Sequence, residues 1–364
     1  MKKNVILKKK PKNILIISMR YHGDVLLTTP LIKTIKEAYP EANVDILIYT
    51  GTQLMLAGNP HLREIITTPP KPTFSEYFGV IKKIFRKYDL SIATQTGDRR
   101  ILYAILASSN SIGLVPDRTQ KGWWKRHLLT AWKEQHPLKP HTVLKFVQLA
   151  MLTGAKPKLD LVPPINPDFT PPSNFNINEP FVVIHCKPQW TYKEWPIENW
   201  GELSQYLHSL GFKIILSGGP GEEEANYVGQ VYQLAPKGTI NLTGKTSLSD
   251  LGHIISKAQL FVGPDTGVTH LAAATGVPVI ALYGPTIPVE WSPWPINYHK
   301  EQSPFHATGS QVVNNVYLVQ GESLHNCVPC HQVGCEGHKL SRSQCLDTLS
   351  TKKVINCIHT LLNI

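Results

Sequence analysis

The stretch QLFVGPDTGVTHLAAATGVPVIALYGPT, residues 259–286, decides how the chain is read. Its opening QLFVG is a short apolar run stopped by Gly263-Pro264, which fits a strand buried on both faces. Asp265, Thr266 and Gly267 then make a tight turn into the helix-compatible THLAAAT, and VPVIALYG follows as another apolar run. Strand, turn, helix and strand make up the repeating unit of a parallel sheet with helices on its faces. At such a turn the first N–H groups and the positive end of the helix dipole meet beside a glycine that admits a ligand close to the backbone, so a phosphate fits. Asp265 or Thr266 could equally serve as a plain helix cap. His270, three residues beyond Gly267, faces the same mouth, whereas a histidine kept for packing would face the alanine-rich side.

Outward from this stretch the same alternation recurs on both sides of a break. NILIIS (13–18), VDILIY (44–49), EIITT (64–68), LSIAT (90–94) and SIGLV (111–115) read as strands, and DVLLTTPLIKTIKEAY, FSEYFGVIKKIFRKY and RRILYAILAS between them carry helical spacing. From Lys156 to Pro180 prolines and polar residues displace any period, as expected of a linker. FVVIHC, FKIILSGG, TINLTG and LFVG then restart the alternation with helices between them. The expected organisation is α/β: a Rossmann-like domain over 1–165, a Pro-rich linker over 166–180, a second Rossmann-like domain over 181–345 and a closing helix over 346–364, docked on the other domain. Ligands of open α/β sheets bind at the carboxyl ends of the strands, so two such domains predict a cleft between those edges.

Composition narrows the class. A chain of 364 residues is too long for one ordinary core. No apolar run reaches the length of a membrane span, and VIL in MKKNVILKKK is too short for the apolar part of a signal peptide, so a cytoplasmic location is expected. With 37 Lys and Arg against 26 Asp and Glu, the net charge of +11 points to an anionic partner: nucleic acid, a membrane surface or a phosphorylated substrate. No basic repeat or nucleic-acid motif supports the first of these. Of the six cysteines, Cys327, Cys330, Cys335 and Cys345 cluster with His325, His331 and His338 between them. That spacing suits a structural zinc in a reducing compartment, but a second CxxC pair is missing and reduced thiols remain the ordinary reading.

Further polar groups fall at strand ends. SMRYHGDVLLTTP places Asp24 at a helix entrance, as a cap or as a carboxylate able to take a proton from a hydroxyl, and Arg20 and His22 on the same loop suit an anionic substrate. No G-x-G-x-x-G is present there. In HCKPQWTYKEWP, Lys193 is flanked by Trp190, Tyr192 and Trp195, which would hold it against a phosphate leaving group. In SGGPGEEE, Glu222 is placed to accept from a ribose, although an acidic first turn also compensates the helix dipole. Lys125 and Arg126 in GWWKRHLL are candidates for anionic groups of an acceptor, or else an exposed turn.

These residues carry a resemblance along nearly the whole chain. HGDVLLTTPLIKTIKEAYP, KEWP, GGPGEEE and above all DTGVTHLAAATGVPVIALYGPT resemble the bacterial ADP-heptose:lipopolysaccharide heptosyltransferases, and RYHGD with WSPWP (291–295) is most similar to the branch that adds the third inner-core heptose. The resemblance implies a GT-B fold and an inverting, metal-independent transfer from ADP-heptose to a lipopolysaccharide inner-core sugar, with no cofactor. It implies Asp24 as general base, Lys193 at the donor phosphates, Glu222 at the ribose and Thr246 beside the adenine. Asp265, Thr266, Gly267 and His270 match the loop that grips the diphosphate and heptose. Met19 to His22 depart from the small residues usual before the Gly-Asp pair, so a different acceptor pocket is expected. With such an acceptor, lysine-rich patches would dock the enzyme on the anionic cytoplasmic face of the inner membrane. A neighbouring branch acting at the first or second heptose, differing only in acceptor, and a non-catalytic nucleotide-sugar or nucleic-acid binder are the competing readings.

Overall fold

The computed structural model describes residues 9–117, 122–135, 140–323 and 325–364. The basic N-terminal residues 1–8, read above against a signal peptide, lie outside them. The chain divides into two compact units, residues 1–162 with 299–303 and residues 163–298 with 304–364.

The first unit runs β1 (Asn13–Ile17), α1 (His22–Leu26), α2 (Thr29–Ala38), β2 (Asn43–Tyr49), β3 (Glu64–Thr68), α3 (Phe74–Ile84), β4 (Leu90–Ala93), α4 (Asp98–Ala107), β5 (Ser111–Val115), α5 (Trp123–Leu128), β6 (Ala131–Glu134) and α6 (Thr142–Met151). Among the described residues its strands form one parallel sheet in the order β3-β2-β1-β4-β5-β6. The order reverses direction between β1 and β4, which makes their carboxyl ends the topological switch point. The single helix expected over DVLLTTPLIKTIKEAY is two. Pro30 at the start of α2 has no N–H to continue a helix, and the Thr28 hydroxyl bonds the Asp24 carbonyl (2.8 Å) and the Ser18 hydroxyl (2.8 Å), tying the break to the end of β1.

The second unit runs β7 (Phe181–His185), α7 (Ile197–Ser209), β8 (Lys213–Ser217), α8 (Glu222–Leu234), β9 (Ile240–Asn241), α9 (Leu248–Lys257), β10 (Leu260–Pro264), α10 (Gly267–Thr275), β11 (Val279–Tyr283), α11 (Pro288–Trp291), β12 (Gln311–Val313), β13 (Val316–Gln320), α12 (Gln344–Asp347) and α13 (Thr351–Leu362). The sheet order is β12-β13-β11-β10-β7-β8-β9, parallel except for the β12–β13 hairpin, and its switch point lies between β7 and β10. Period-2 alternation buries both faces. Val182 and Ile184 join Trp200, Leu216 and Val262 on one side, and Phe181 and Val183 join Ile215, Phe261 and Ala281 on the other.

The Pro-rich stretch lies on this unit. Phe175 is buried edge-on against Phe181 (centroids 5.1 Å), and the Asn166 amide bonds Asp250 (2.7 Å). The closing helix, expected to dock on the other domain, packs within its own unit: Val354, Cys357 and Ile358 of α13 enter the core that holds Trp195 and Trp200. Its apolar stripe had to be covered by something, and α7 and β13 cover it.

Candidate active site

At the switch point of the first unit, the loop after β1 carries Met19, Arg20, Tyr21 and His22 into the short helix α1. Met19 is fixed from both sides, its N–H donating to Gln95 Oε1 (3.1 Å) and its carbonyl accepting from Arg100 Nη2 (2.8 Å). Asp24, in the first turn of α1, is 8% exposed, and its Oδ1 accepts from Arg20 Nε (3.2 Å). The His22 ring lies 3.1 Å from the Gly51 carbonyl. Arg100 also donates to the Tyr49 hydroxyl (2.8 Å), as does Arg99 (3.1 Å). Arg99 and Arg100 thus share the Tyr49 hydroxyl, and burial with the nearby cations of Arg99 and Arg20 lowers the Arg100 pKa against the raising effect of Tyr49. Sequence reading found Arg20 and missed Arg99 and Arg100; the signal was TGDRR at the end of β4, the strand beside β1.

Lys125 and Arg126 lie elsewhere than on an open surface. Lys125 is buried, donating to the Thr96 carbonyl (2.5 Å) and pairing with Asp98 (2.6 Å). Arg126 pairs with Glu134 (2.7 Å) and lies over the Trp132 ring. Both are engaged within the unit, because a lysine or arginine stem this buried must take its head to an acceptor nearby.

The second unit builds its switch point from the loops after β7 and β10. Lys193 Nζ meets Asp265 Oδ2 at 2.5 Å, across a sequence gap of 72 residues. Asp265, 8% exposed, also accepts from the Tyr283 hydroxyl (3.3 Å). Burial would raise its pKa, but the charges of Lys193 and His270 and hydrogen bonds from Lys193 and Thr286 outweigh burial and hold it below the usual aspartate value. His270 sits one turn into α10, buried, its Nδ1 without a hydrogen-bond partner. Burial lowers its pKa to about 4 against the raising effect of Asp265, so the ring is neutral at pH 7. Thr266 caps α10, its hydroxyl accepting from the Thr269 N–H (3.4 Å), and Gly267 is the first helical residue. A carboxylate, an ammonium, a buried neutral imidazole and a helix N-terminus thus converge at one strand-end turn, an arrangement with the donors and positive charge that suit an anionic group.

Of the three aromatics expected to hold Lys193, Tyr192 lies 5.7 Å from its ammonium, whereas Trp195 is wholly buried in the core. Sequence reading passed over Lys187, which is bonded to Glu194 (2.6 Å) and Glu223 (2.8 Å). Burial opposes its charge, but the two carboxylates outweigh it and raise its pKa. Glu222 is exposed at the start of α8, while the Glu224 carboxylate fills the space where a Cβ on Gly219 would stand, 2.8 Å from that position. Thr246 lies half-buried in the loop after β9, and that loop is fastened to SGGPG by the Gly244 N–H on the Gly218 carbonyl (2.9 Å).

The cysteine segment braces the Lys193 loop. Lys339 Nζ stands 3.9 Å over the Trp190 ring, the Ser343 hydroxyl donates to the Tyr192 carbonyl (2.7 Å), and Arg342 reaches Glu194 (3.5 Å). Cys327 and Cys335 are exposed, Cys330 is half-buried and Cys345 is buried. Burial and then the three neighbouring thiols push Cys345 up to about 12. Among the described residues no three His, Cys, Asp or Glu side chains are gathered closely enough to hold a metal ion. No helix among them is long and apolar enough to cross a membrane.

Residues 79–314 match the family described as glycosyltransferase family 9 (heptosyltransferase). Lipopolysaccharide heptosyltransferase 3 of Escherichia coli is 29% identical over 299 residues, 77% of this chain and 85% of that protein. Among solved structures, a family 9 glycosyl transferase from Veillonella parvula superposes with a TM-score of 0.76 at 20% identity, covering 99% of both chains. The E. coli heptosyltransferase WaaC, solved with ADP-2-deoxy-2-fluoro heptose, superposes at 0.68 and 19% identity, covering 96% of this chain and 99% of its own. The fold is therefore that of the GT-B heptosyltransferases.

Proposed function

The chain belongs to glycosyltransferase family 9 and is a glycosyltransferase, and on that premise we propose that it moves heptose from ADP-heptose onto the lipopolysaccharide inner core, adding the third heptose to the second with inversion. The observation that carries this reading is the Lys193–Asp265 pair at the N-terminus of α10, beside the buried His270 ring whose Nδ1 has no hydrogen-bond partner. A diphosphate there gains an ammonium and the N-terminal N–H groups of α10, and Thr266, Gly267 and His270 are assigned with Asp265 to the turn that grips it. Glu222 is assigned to the ribose and Thr246 to the adenine side.

Asp24 is assigned as general base. As the acceptor oxygen attacks the anomeric carbon, its proton passes to the Asp24 carboxylate and the bond from that carbon to the ADP oxygen breaks. The charge on departing ADP is met by Lys193 and the helix end. Asp265 is a poor candidate for the base, because its own partners hold it ionised and occupied. Arg20, Arg99 and Arg100 suit the phosphates and carboxylates of an inner-core acceptor, with His22 at their edge. The surplus of positive charge suits an enzyme working peripherally on the cytoplasmic face of the inner membrane.

The deciding experiment incubates the protein with ADP-heptose and a panel of truncated core acceptors, then reads product mass and linkage. Product only on the acceptor that ends in the second heptose supports the assignment. Product on a shorter acceptor moves the enzyme to an earlier addition, and binding without ADP release on any acceptor overturns transfer.

We also assign Cys327, Cys330, Cys335 and Cys345 to a structural zinc. Cys327, Cys330 and Cys335 lie near enough to the buried Cys345 to raise its pKa, and the Gln344 N–H donates to Cys335 Sγ (3.3 Å); a bound cation would offset the repulsion that four thiolates would otherwise meet. Metal content of protein purified under reducing conditions checks it: one zinc per chain, lost in Cys330→Ser, supports the site, and its absence from wild type ends it.

A further inference from the structure

Helix α3 starts from a capping box, Thr73 with Glu76, and reads FSEYFGVIKKI. Val80 and Ile84 fill its buried face, and Tyr77 packs against Tyr103 of α4 with ring centroids 5.4 Å apart. A surface helix so seated should be polar around the rest of its circumference. This one is not. Phe74 is 87% exposed, Phe78 61%, and Phe85, which ends the helix, 52%. At ~100° per residue the three fall within roughly 40° of one another, a single stripe along the outer edge.

Cations flank that stripe. Residues 71–87 hold five Lys or Arg against one Glu, and Glu76 is taken up by the cap. Lys83 pairs with Glu64 (2.6 Å), while Lys71, Lys82, Arg86 and Lys87 are exposed. Single exposed apolar residues are ordinary on a protein surface, but phenylalanines aligned on one helix and bordered by cations are not. An apolar protein groove would accept the rings and leave the surplus charge unanswered. A leaflet of anionic lipid answers both, with aromatic rings at the acyl boundary and lysine and arginine heads at the phosphates.

We propose that the outer face of α3 is the surface by which the protein rests on an anionic phospholipid leaflet, Phe74, Phe78 and Phe85 entering the acyl boundary and Lys71, Lys82, Arg86 and Lys87 meeting the phosphates. The proposal rests on the functional reading in one respect, that a lipid-anchored acceptor lies in such a leaflet. Helix α4, whose first turn carries Arg99 and Arg100, packs beside α3, and Arg99 donates to the carbonyl of Pro70, the residue before Lys71 (3.0 Å).

Co-sedimentation of the full chain with vesicles tests the surface without donor, acceptor or turnover. Wild type should bind phosphatidylglycerol–phosphatidylethanolamine vesicles, bind phosphatidylcholine far less, and keep part of its binding at high salt through the rings. Phe74→Ser with Phe78→Ser should lower partition by about tenfold or more at both salt levels, since each ring removed forfeits its apolar transfer. Lys82→Glu with Arg86→Glu should lose binding mainly at low salt. Thermal midpoint and ADP affinity of the Phe→Ser chain should match wild type, because the stripe is outside the core. Vesicle binding by that chain equal to wild type overturns the proposal. So does a wild-type dimer that the same substitutions turn into monomer without change in vesicle binding, which would give the face to a second copy of the chain. Vesicle binding that survives a failed transfer assay would sink the enzymatic reading and leave this surface standing.

Discussion

The two switch points occupy the same place in their sheets and are built differently. Asp24 and Asp265 are each 8% exposed at a helix start beyond a strand. Asp24 bonds Arg20 four residues away, and the Arg20 side chain is 39% exposed. Asp265 bonds Lys193 from another loop and Tyr283 from another strand, and lies against a buried imidazole. A local, solvent-facing pair is worth little and is readily exchanged for a substrate, whereas a buried one fixes its members and is costly to break. The contrast suits a base that must take and release a proton on one side, and a grip whose charge must stay constant on the other.

Substitution at the two carboxylates tests that contrast most severely. Asp24→Asn should lower kcat by roughly a hundredfold to ten-thousandfold while ADP affinity stays within about twofold. Asp265→Asn should instead destabilise the folded chain by about 1–3 kcal/mol and weaken ADP binding, since the half-buried Lys193 loses the carboxylate that positions it. Denaturant unfolding and calorimetric ADP titration of both variants would erase the asymmetry if their profiles matched.

Acid should separate the sites as well. Folded His270 stays neutral down to about 4, whereas an unfolded histidine takes its proton near the ordinary 6.5, so between these values the unfolded chain binds more protons. Stability from this group is whole above 6.5 and falls as pH drops toward 4, by about 3 kcal/mol in all. Asp265 adds its loss only lower, below the ordinary 3.8, as pH falls through its depressed pKa. Unfolding free energy against pH for wild type and His270→Asn checks the sign. The variant should lose part of the wild-type slope, with buried His185 still contributing its own, and a slope unchanged from wild type assigns the titration to another group. The mildest effect is expected at Arg20→Ala, with a stability change under about 1 kcal/mol. Its KM for a phosphorylated acceptor should rise severalfold and its KM for ADP-heptose should not move; a rise in the donor KM would place Arg20 with the second unit's chemistry.

Much of the fold was legible because burial leaves a period. The runs at β1, β2, β4 and β5 and at β7, β8, β10 and β11 are buried on both faces, β3 at the sheet edge shows its two apolar residues, and the turn at 265–267 marks itself with Asp, Thr and Gly. β6 was missed because AWKE is short and half polar, as an edge strand can be. The β12–β13 hairpin was missed although VVNNVYLV carries its turn, with Asn314 in the left-handed region at φ 49°. Site residues were legible where they sit on one loop. Lys193 and Asp265 could be named, but their bond could not. The inward turn of Lys125 and the gathering of Arg99 and Arg100 around Tyr49 depend on partners distant in sequence. A period tells which face is buried and says nothing of what lies across from it.

The brace on the Lys193 loop bears on engineering. Lys339, Arg342 and Ser343 grip Trp190, Glu194 and the Tyr192 carbonyl, and the Trp195 indole donates to the Leu349 carbonyl (2.7 Å). A chimera that borrows residues 187–196 from a relative with another sugar-nucleotide preference would import a loop whose fastenings are encoded some 150 positions later. Specificity swaps here should therefore be cut as two cassettes, exchanged together.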